Sequence, residues 1–403
     1  MNLKSVFKER ADLLLLVVQS IIGFLFLPYL LSFVEIAVYG EIFLIQSSAV
    51  FFQLFYNLGY TNTITSYAAD WQLKEVYFDQ IFKVLFLFLI KLILFLSSLC
   101  LFNAFNLLSE NIFQYAVIVV VLSLANVLKD IFEVVQRMRN LYRYALILSL
   151  VYVILDTIIK IYYLNNYVFS PEDFLALSTG FKILYFTGLL LYLTISKIGR
   201  IKFKKEDVVF FKYGLNWAVA NSIGKVSAFI DKPLISNNIG LEALGYYAFA
   251  SKILAATAQF RSMLKNLWIY DALKQYPKHK DLSINKLLKP GVAVVLIAVV
   301  LSPFYIYKSL GELNTQVFTY VCVFALIEIL WYFYIYSSLA PVYYKDSSSI
   351  PRIQFLSFIV YFLSLVLIPY IAIYAILIGK IAQLITLVVL QKRLESKLKN
   401  QYT

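Results

Sequence analysis

Long apolar runs separated by short polar connectors make up nearly the whole chain. Crossing about 30 Å of hydrocarbon takes roughly 20 consecutive apolar residues, and each run is close to that length. In the first half they are Ala11–Val34, Ile42–Tyr60, Ile81–Phe105, Phe113–Val135, Tyr144–Tyr167 and Phe174–Ser196. In the second half they are Val209–Ser236, Leu244–Met263, Leu287–Tyr307, Val317–Leu339, Ile350–Leu367 and Pro369–Leu390. The pattern predicts an all-α polytopic membrane protein of about twelve transmembrane helices. Gly23, Pro28, Gly224 and Pro303 fall inside runs. Lipid-embedded helices tolerate such residues because neighbours satisfy the freed backbone groups.

Composition makes the lipid assignment firm. Of 403 residues, 61% are hydrophobic and 15% charged. Soluble domains are about half apolar and about a quarter charged, so this excess has no aqueous core to fill. Ala11–Val34 is too long for a signal-peptide core and reads as a retained first span. Cys100 and Cys322 sit in apolar runs and read as small buried hydrophobes, not as a disulfide. The lone histidine, His279, excludes a His-rich metal site, and no metal or organic cofactor is implied.

The net charge of +13 follows from where Lys and Arg lie. They crowd the N-terminus (Lys4, Lys8, Arg10), the turn after the fourth run (Arg137, Arg139, Arg143) and the linker from Lys197 to Lys212. They also crowd the segment from Arg261 to Lys289 and the C-terminal tail. The alternate loops at 35–41, 101–111 and 164–173 hold neither residue. The positive-inside rule then places both termini in the cytoplasm. Basic loops beside anionic lipid account for the charge without a nucleic-acid partner.

An internal repeat is visible. Glu35 to Tyr39 with Gly40 recurs as Glu242 to Tyr246 with Gly245, at an offset of about 207. Each copy follows a run and leads into the next. The expected halves are residues 1–200 and 201–403, two six-helix bundles related as a parallel repeat with the pseudo-two-fold axis along the membrane normal.

Three segments carry a family resemblance. They are Val38-Tyr39-Gly40 with Asn57-Leu58-Gly59-Tyr60, the stretch Phe132 to Arg139, and Phe229-Ile230-Asp231-Lys232 followed by Ile239 to Lys252. They resemble the Wzx-type O-antigen and capsule polysaccharide flippases of the multidrug/oligosaccharidyl-lipid/polysaccharide (MOP) exporter superfamily. Asn57 stands where many members carry Asp. The resemblance implies a MATE-like fold in a bacterial inner membrane and no catalytic residues. It implies alternating-access transport of an undecaprenyl-pyrophosphate-linked oligosaccharide, with membrane lipids, a polysaccharide polymerase and a chain-length regulator as partners. The first two runs hold no Lys or Arg, unlike lipid II flippases, which argues against a peptidoglycan precursor as cargo.

Charges inside the runs point to the passage, because each costs at least a few kcal/mol at the bilayer centre. Lys91, Lys182, Lys225, Glu328 and Lys380 lie nearest mid-run. Lys83, Asp156, Lys160, Asp231 and Lys252 complete the set, with those near run ends able to reach the interface. Seven lysines against three carboxylates favour an anionic cargo. Lys91, Lys182, Lys225 and Lys380 are the expected substrate-binding cations. Asp156 is spaced to pair with Lys160 one turn on. Glu328, Asp156 and Asp231 are the residues for proton or sodium coupling, or for pairing, since a buried carboxylate can titrate near neutral pH.

Two other readings remain open. A drug or small-metabolite exporter of the same superfamily calls for the opposite cavity charge. A membrane polymerase or glycosyltransferase calls for catalytic groups on large external loops, and the loops here are short. No Walker-type loop is present to support direct ATP hydrolysis.

Overall fold

A computed structural model describes residues 11–57, 77–104, 110–138, 142–194, 222–223, 225–261, 264, 285–337 and 349–402. The Lys197–Lys212 linker, Asn221, Gly224, His279 and most of the basic loops lie outside the described residues. Thirteen helices are described. They are α1 (Ala11–Leu31), α2 (Ile36–Asn57), α3 (Tyr77–Ala104), α4 (Glu110–Met138), α5 (Tyr142–Asn166), α6 (Pro171–Thr194) and α7 (Asp231–Asn238). After them come α8 (Leu241–Ile253), α9 (Asn285–Leu310), α10 (Thr315–Ser337), α11 (Ser349–Leu365), α12 (Ile368–Ile371) and α13 (Ile373–Tyr402). Seven stretches, in α2, α4, α5, α6, α9, α10 and α13, are long and apolar enough to span a bilayer. Shorter apolar segments lie in α1, α3 and α11. The fold is an all-α polytopic membrane protein.

Two described connectors are capped by their own side chains. Between α5 and α6 the Ser170 hydroxyl accepts from the Asp173 amide at 3.3 Å and Pro171 opens the helix, a standard N-terminus. Asn314 does the same for the Val317 amide at 3.0 Å before α10. Among the described residues three interior breaks were not expected, the first at Ile230 in the seventh run. The eighth run is interrupted at Leu254 and the twelfth at Ala372, whose φ of 49° is a strained value for a residue bearing Cβ.

The chain divides into two compact units, Met1–Leu15 with Ile42–Lys225, and Leu16–Glu41 with Val226–Thr403. This division differs from the halves 1–200 and 201–403, because most of α1 and the start of α2 pack with the later helices. Side-chain contacts explain it. The Tyr305 hydroxyl of α9 donates to the Phe24 carbonyl of α1 at 2.5 Å, and the two rings stack at 3.9 Å. Ser20 of α1 hydrogen-bonds Gln259.

In the first unit the core is α4 packed on α5 and α6. Val120, Leu124, Val127, Leu128, Ile131 and Phe132 pack there with Tyr152, Phe186 and Leu190. Outward positions are apolar too. Leu184 and Ile158 of this unit, like Phe304 and Val300 of the second, are largely exposed, as lipid-facing residues are. Cys100 and Cys322 are free and exposed, not buried as the sequence implied, which in this fold places them on helix surfaces.

In the second unit α13 packs on α10 and α11, and α10 also meets α8 and α9. Here the two repeat copies touch. A Cβ on Gly40 would collide with the Leu241 carbonyl and lie 2.8 Å from the Gly245 amide nitrogen, and one on Gly245 would collide with the Ile36 carbonyl. Ile36 and Leu241, like Gly40 and Gly245, are separated by 205 residues. The contact is therefore reciprocal, with each copy's glycine against the other's helix start. That is the signature of a local two-fold, and only glycine permits so close a backbone approach.

Candidate functional site

Charged side chains inside the spans gather around three carboxylates in the first unit and two in the second. In the first unit, Lys160 pairs with Asp156 at 2.5 Å, the spacing expected from one helical turn. The same carboxylate accepts from Ser178 of α6 at 2.8 Å. Lys182, also on α6, bonds instead to the side-chain oxygen of Asn126 on α4. One turn further along α4, Asp130 accepts from Gln53 of α2 and lies within electrostatic reach of Lys129, Lys182 and Lys225. Lys129 itself pairs with Glu133 at 3.6 Å, and Glu133 accepts from Ser149 of α5 at 3.2 Å. Two expected cations, Lys182 and Lys225, thus lie within electrostatic reach of one carboxylate. Lys91 stands half-buried on α3.

The second unit pairs its charges directly. Asp231, at the start of α7, is fully buried. One of its oxygens, Oδ1, takes the Lys232 ammonium at 2.7 Å. The other, Oδ2, takes the Tyr247 hydroxyl at 2.6 Å and the Lys380 ammonium at 2.5 Å. Lys380 also donates to the Tyr247 oxygen at 2.8 Å. The Tyr247 ring lies 5.5 Å and 5.9 Å from the two ammoniums, within cation–π range. Three helices, α7, α8 and α13, meet at this cluster. Nearby, Gln383 accepts from Ser227 at 3.0 Å.

Glu328 of α10 has a partner at the end of the eighth run. Arg261 reaches it at 2.8 Å and lies 4.9 Å from the Trp331 ring centroid. One turn after Glu328, Tyr332 is buried, and its ring fills the space that a side chain at Gly291 would need.

Sequence reading missed Asp130, Lys232, Tyr247 and Arg261 as members of these clusters. A signal existed for two of them. Asp231, Lys232 and Tyr247 all belong to the most specific of the resembling segments, and they meet in space. Asp130 and Arg261 lie toward run ends, where a charge ordinarily reaches solvent.

Helices long and apolar enough to cross a bilayer fall in both compact units, and each unit has its own cluster of charged side chains inside the spans. The chain belongs to the polysaccharide biosynthesis protein family, the Wzx-like flippase family, whose model matches residues 12–265. Among solved structures it resembles an inward-facing multidrug-resistance MATE family transporter of the MOP superfamily (TM-score 0.61, 13% identity, covering 100% of this chain and 97% of that one). It also resembles a MOP superfamily transporter from Pyrococcus furiosus, whose binding pocket of reverse polarity suggests a different function for that protein (TM-score 0.63, 13% identity, 96% of each chain). An outward-facing MATE family transporter aligns with a TM-score of 0.60 at 11% identity over 96% of each chain. At these identities the likeness shows the fold. No curated protein matches the sequence.

Proposed function

We propose that the protein is a flippase for an undecaprenyl-pyrophosphate-linked oligosaccharide, an O-antigen or capsule repeat unit. It carries the glycan from the cytoplasmic to the periplasmic leaflet of a bacterial inner membrane by alternating access. The observation that carries this reading is membership of the polysaccharide biosynthesis family on a MOP fold. Charge chemistry supports it. Asp130 lies near Lys182 and Lys225, with Lys129 neutralised by Glu133. Asp231 lies between Lys232 and Lys380. In the second unit one carboxylate contacts two lysines, and in the first one carboxylate lies in the field of two, a surplus of positive charge that favours an anionic headgroup over a cationic drug. The reversed pocket polarity described for the Pyrococcus transporter supports reading charge as the trait that separates cargo classes.

Both termini are cytoplasmic in this reading, and a polysaccharide polymerase and a chain-length regulator receive the product. Coupling to a proton or sodium ion runs through Asp156, Asp231 or Glu328. Each is ion-paired in the structure, so an entering ion must displace a resident cation.

The test replaces Lys91, Lys182, Lys225 and Lys380 singly with Ala and scores surface polysaccharide in the native cell. Loss of a charge-assisted contact to the headgroup predicts a drop of about tenfold or more for at least two of them. Four silent variants would rule out the cationic passage.

A further inference from the structure

We propose that Lys380 is a masked anion-binding group: Asp231 and Tyr247 hold its ammonium in the resting cluster, and the pyrophosphate of an isoprenyl-linked cargo draws it away. This rests on the flippase reading and names the group in the second unit that meets the headgroup.

The two lysines on Asp231 are not equivalent. Lys232 is the next residue on the same helix, and its ammonium also donates to the Ala228 carbonyl one turn back. It is tied to α7 and moves with Asp231. Lys380 arrives from α13, and its side chain is 18% exposed, against 11% for Lys232 and none for Asp231. It is the ammonium that an entering anion reaches first. Two of its three N–H groups face Asp231 and Tyr247.

Releasing Lys380 does not strand a naked charge. A buried carboxylate deprived of every cation is strongly destabilised, but Lys232 stays on Asp231 Oδ1 at 2.7 Å. The cluster carries one carboxylate and two ammoniums, so a positive charge is left to attract the cargo. Pyrophosphate presents several charged oxygens where Asp231 presents one carboxylate, which lets it compete for a shared ammonium. The Tyr247 hydroxyl, which donates to Asp231 and accepts from Lys380, sets the strength of the mask. Free phosphate and anionic lipid headgroups offer the same oxyanion chemistry, so the source has to be separated by experiment.

The full chain is placed in phosphatidylcholine nanodiscs, and farnesyl pyrophosphate binding is measured by calorimetry. Lys380→Met is expected to weaken binding about tenfold or more. Asp231→Asn combined with Lys232→Gln keeps the cluster's net charge and removes the mask. It should bind about tenfold more tightly. Should that pair fail to fold, Tyr247→Phe loosens the mask without a charge change and should tighten binding about threefold. Unchanged binding by Lys380→Met, or binding no tighter in the unmasked variant that folds, overturns the proposal. Inorganic pyrophosphate should show the same dependence on Lys380; indifference to Lys380 would overturn it. In discs enriched in phosphatidylglycerol, binding should persist, and its loss would assign the site to bulk lipid instead. Failure of this proposal and failure of the flippase reading are distinguishable. Glycolipid translocation that is insensitive to Lys380 sinks the first alone. Lys380-dependent pyrophosphate binding without any glycolipid translocation sinks the second alone.

Discussion

Around Asp130 the first unit holds its buried charges with amides, although Asp156 pairs directly with Lys160, whereas the Asp231 cluster of the second unit locks its charges together. Asp130 is hydrogen-bonded by Gln53, and Lys182 by Asn126. Both partners are neutral, so the Lys182 field is not cancelled by its own hydrogen bond. Asp231 is held directly by Lys232 and Lys380, with Tyr247 beneath them. Direct pairing in a low-dielectric site is strong once formed and costly to break from one side. The difference teaches that a count of intramembrane lysines overstates the accessible positive charge. In the second unit Lys380 is already engaged by Asp231, and in the first Lys160 is engaged by Asp156, whereas Lys182 is held by a neutral amide.

The sharpest way to break this comparison is to neutralise each carboxylate. Asp231→Asn leaves two lysines in a buried cluster without their counterion and should cost about 3 kcal/mol or more. Asp130→Asn keeps the amide partner and should cost about 1 kcal/mol. Equal losses in thermal unfolding would erase the distinction. Next in size is Gly245→Ala, which drives a methyl into the Ile36 carbonyl and should destabilise by about 2 kcal/mol. Gly40→Ala should match it, since the contact is reciprocal, and a large asymmetry between the two would argue against the local two-fold. Lys182→Met removes one bond to a neutral amide and should change stability by about 1 kcal/mol, while lowering transport far more. The smallest effect is expected on the chain leading to Lys380. Ala372→Gly relieves a positive φ and should stabilise by roughly 0.5 to 1 kcal/mol after the added unfolded-state entropy.

Hydrophobic runs located most of the described helices, because in lipid every span must be helical and long enough to cross. Their ends were less legible. α13 continues to Tyr402, well past the expected end at Leu390, since a helix can leave the bilayer as a polar extension. The breaks at Leu254 and Ala372 left no mark in the apolar pattern. The repeat motif was visible, but its spatial register of 205 follows the glycines and not the Glu–Tyr pairs that first drew attention. Among the site residues, the pairing of Asp156 with Lys160 was legible because it is local. The pairing of Asp231 with Lys380 joins helices far apart in sequence, and no spacing rule reaches it. Arg261, at the end of the eighth run, was grouped with the basic segment that follows because a long side chain near a span end ordinarily turns to solvent. Here it turns inward to Glu328 and packs over Trp331.

The most direct test of the account is translocation itself. Purified protein in liposomes is given a fluorescent prenyl-pyrophosphate-linked oligosaccharide in one assay and a cationic dye in another. The account predicts that the wild-type protein moves the glycolipid and not the dye, and that Lys182→Met and Lys380→Met both slow the glycolipid. Dye transport with no movement of the glycolipid would contradict it.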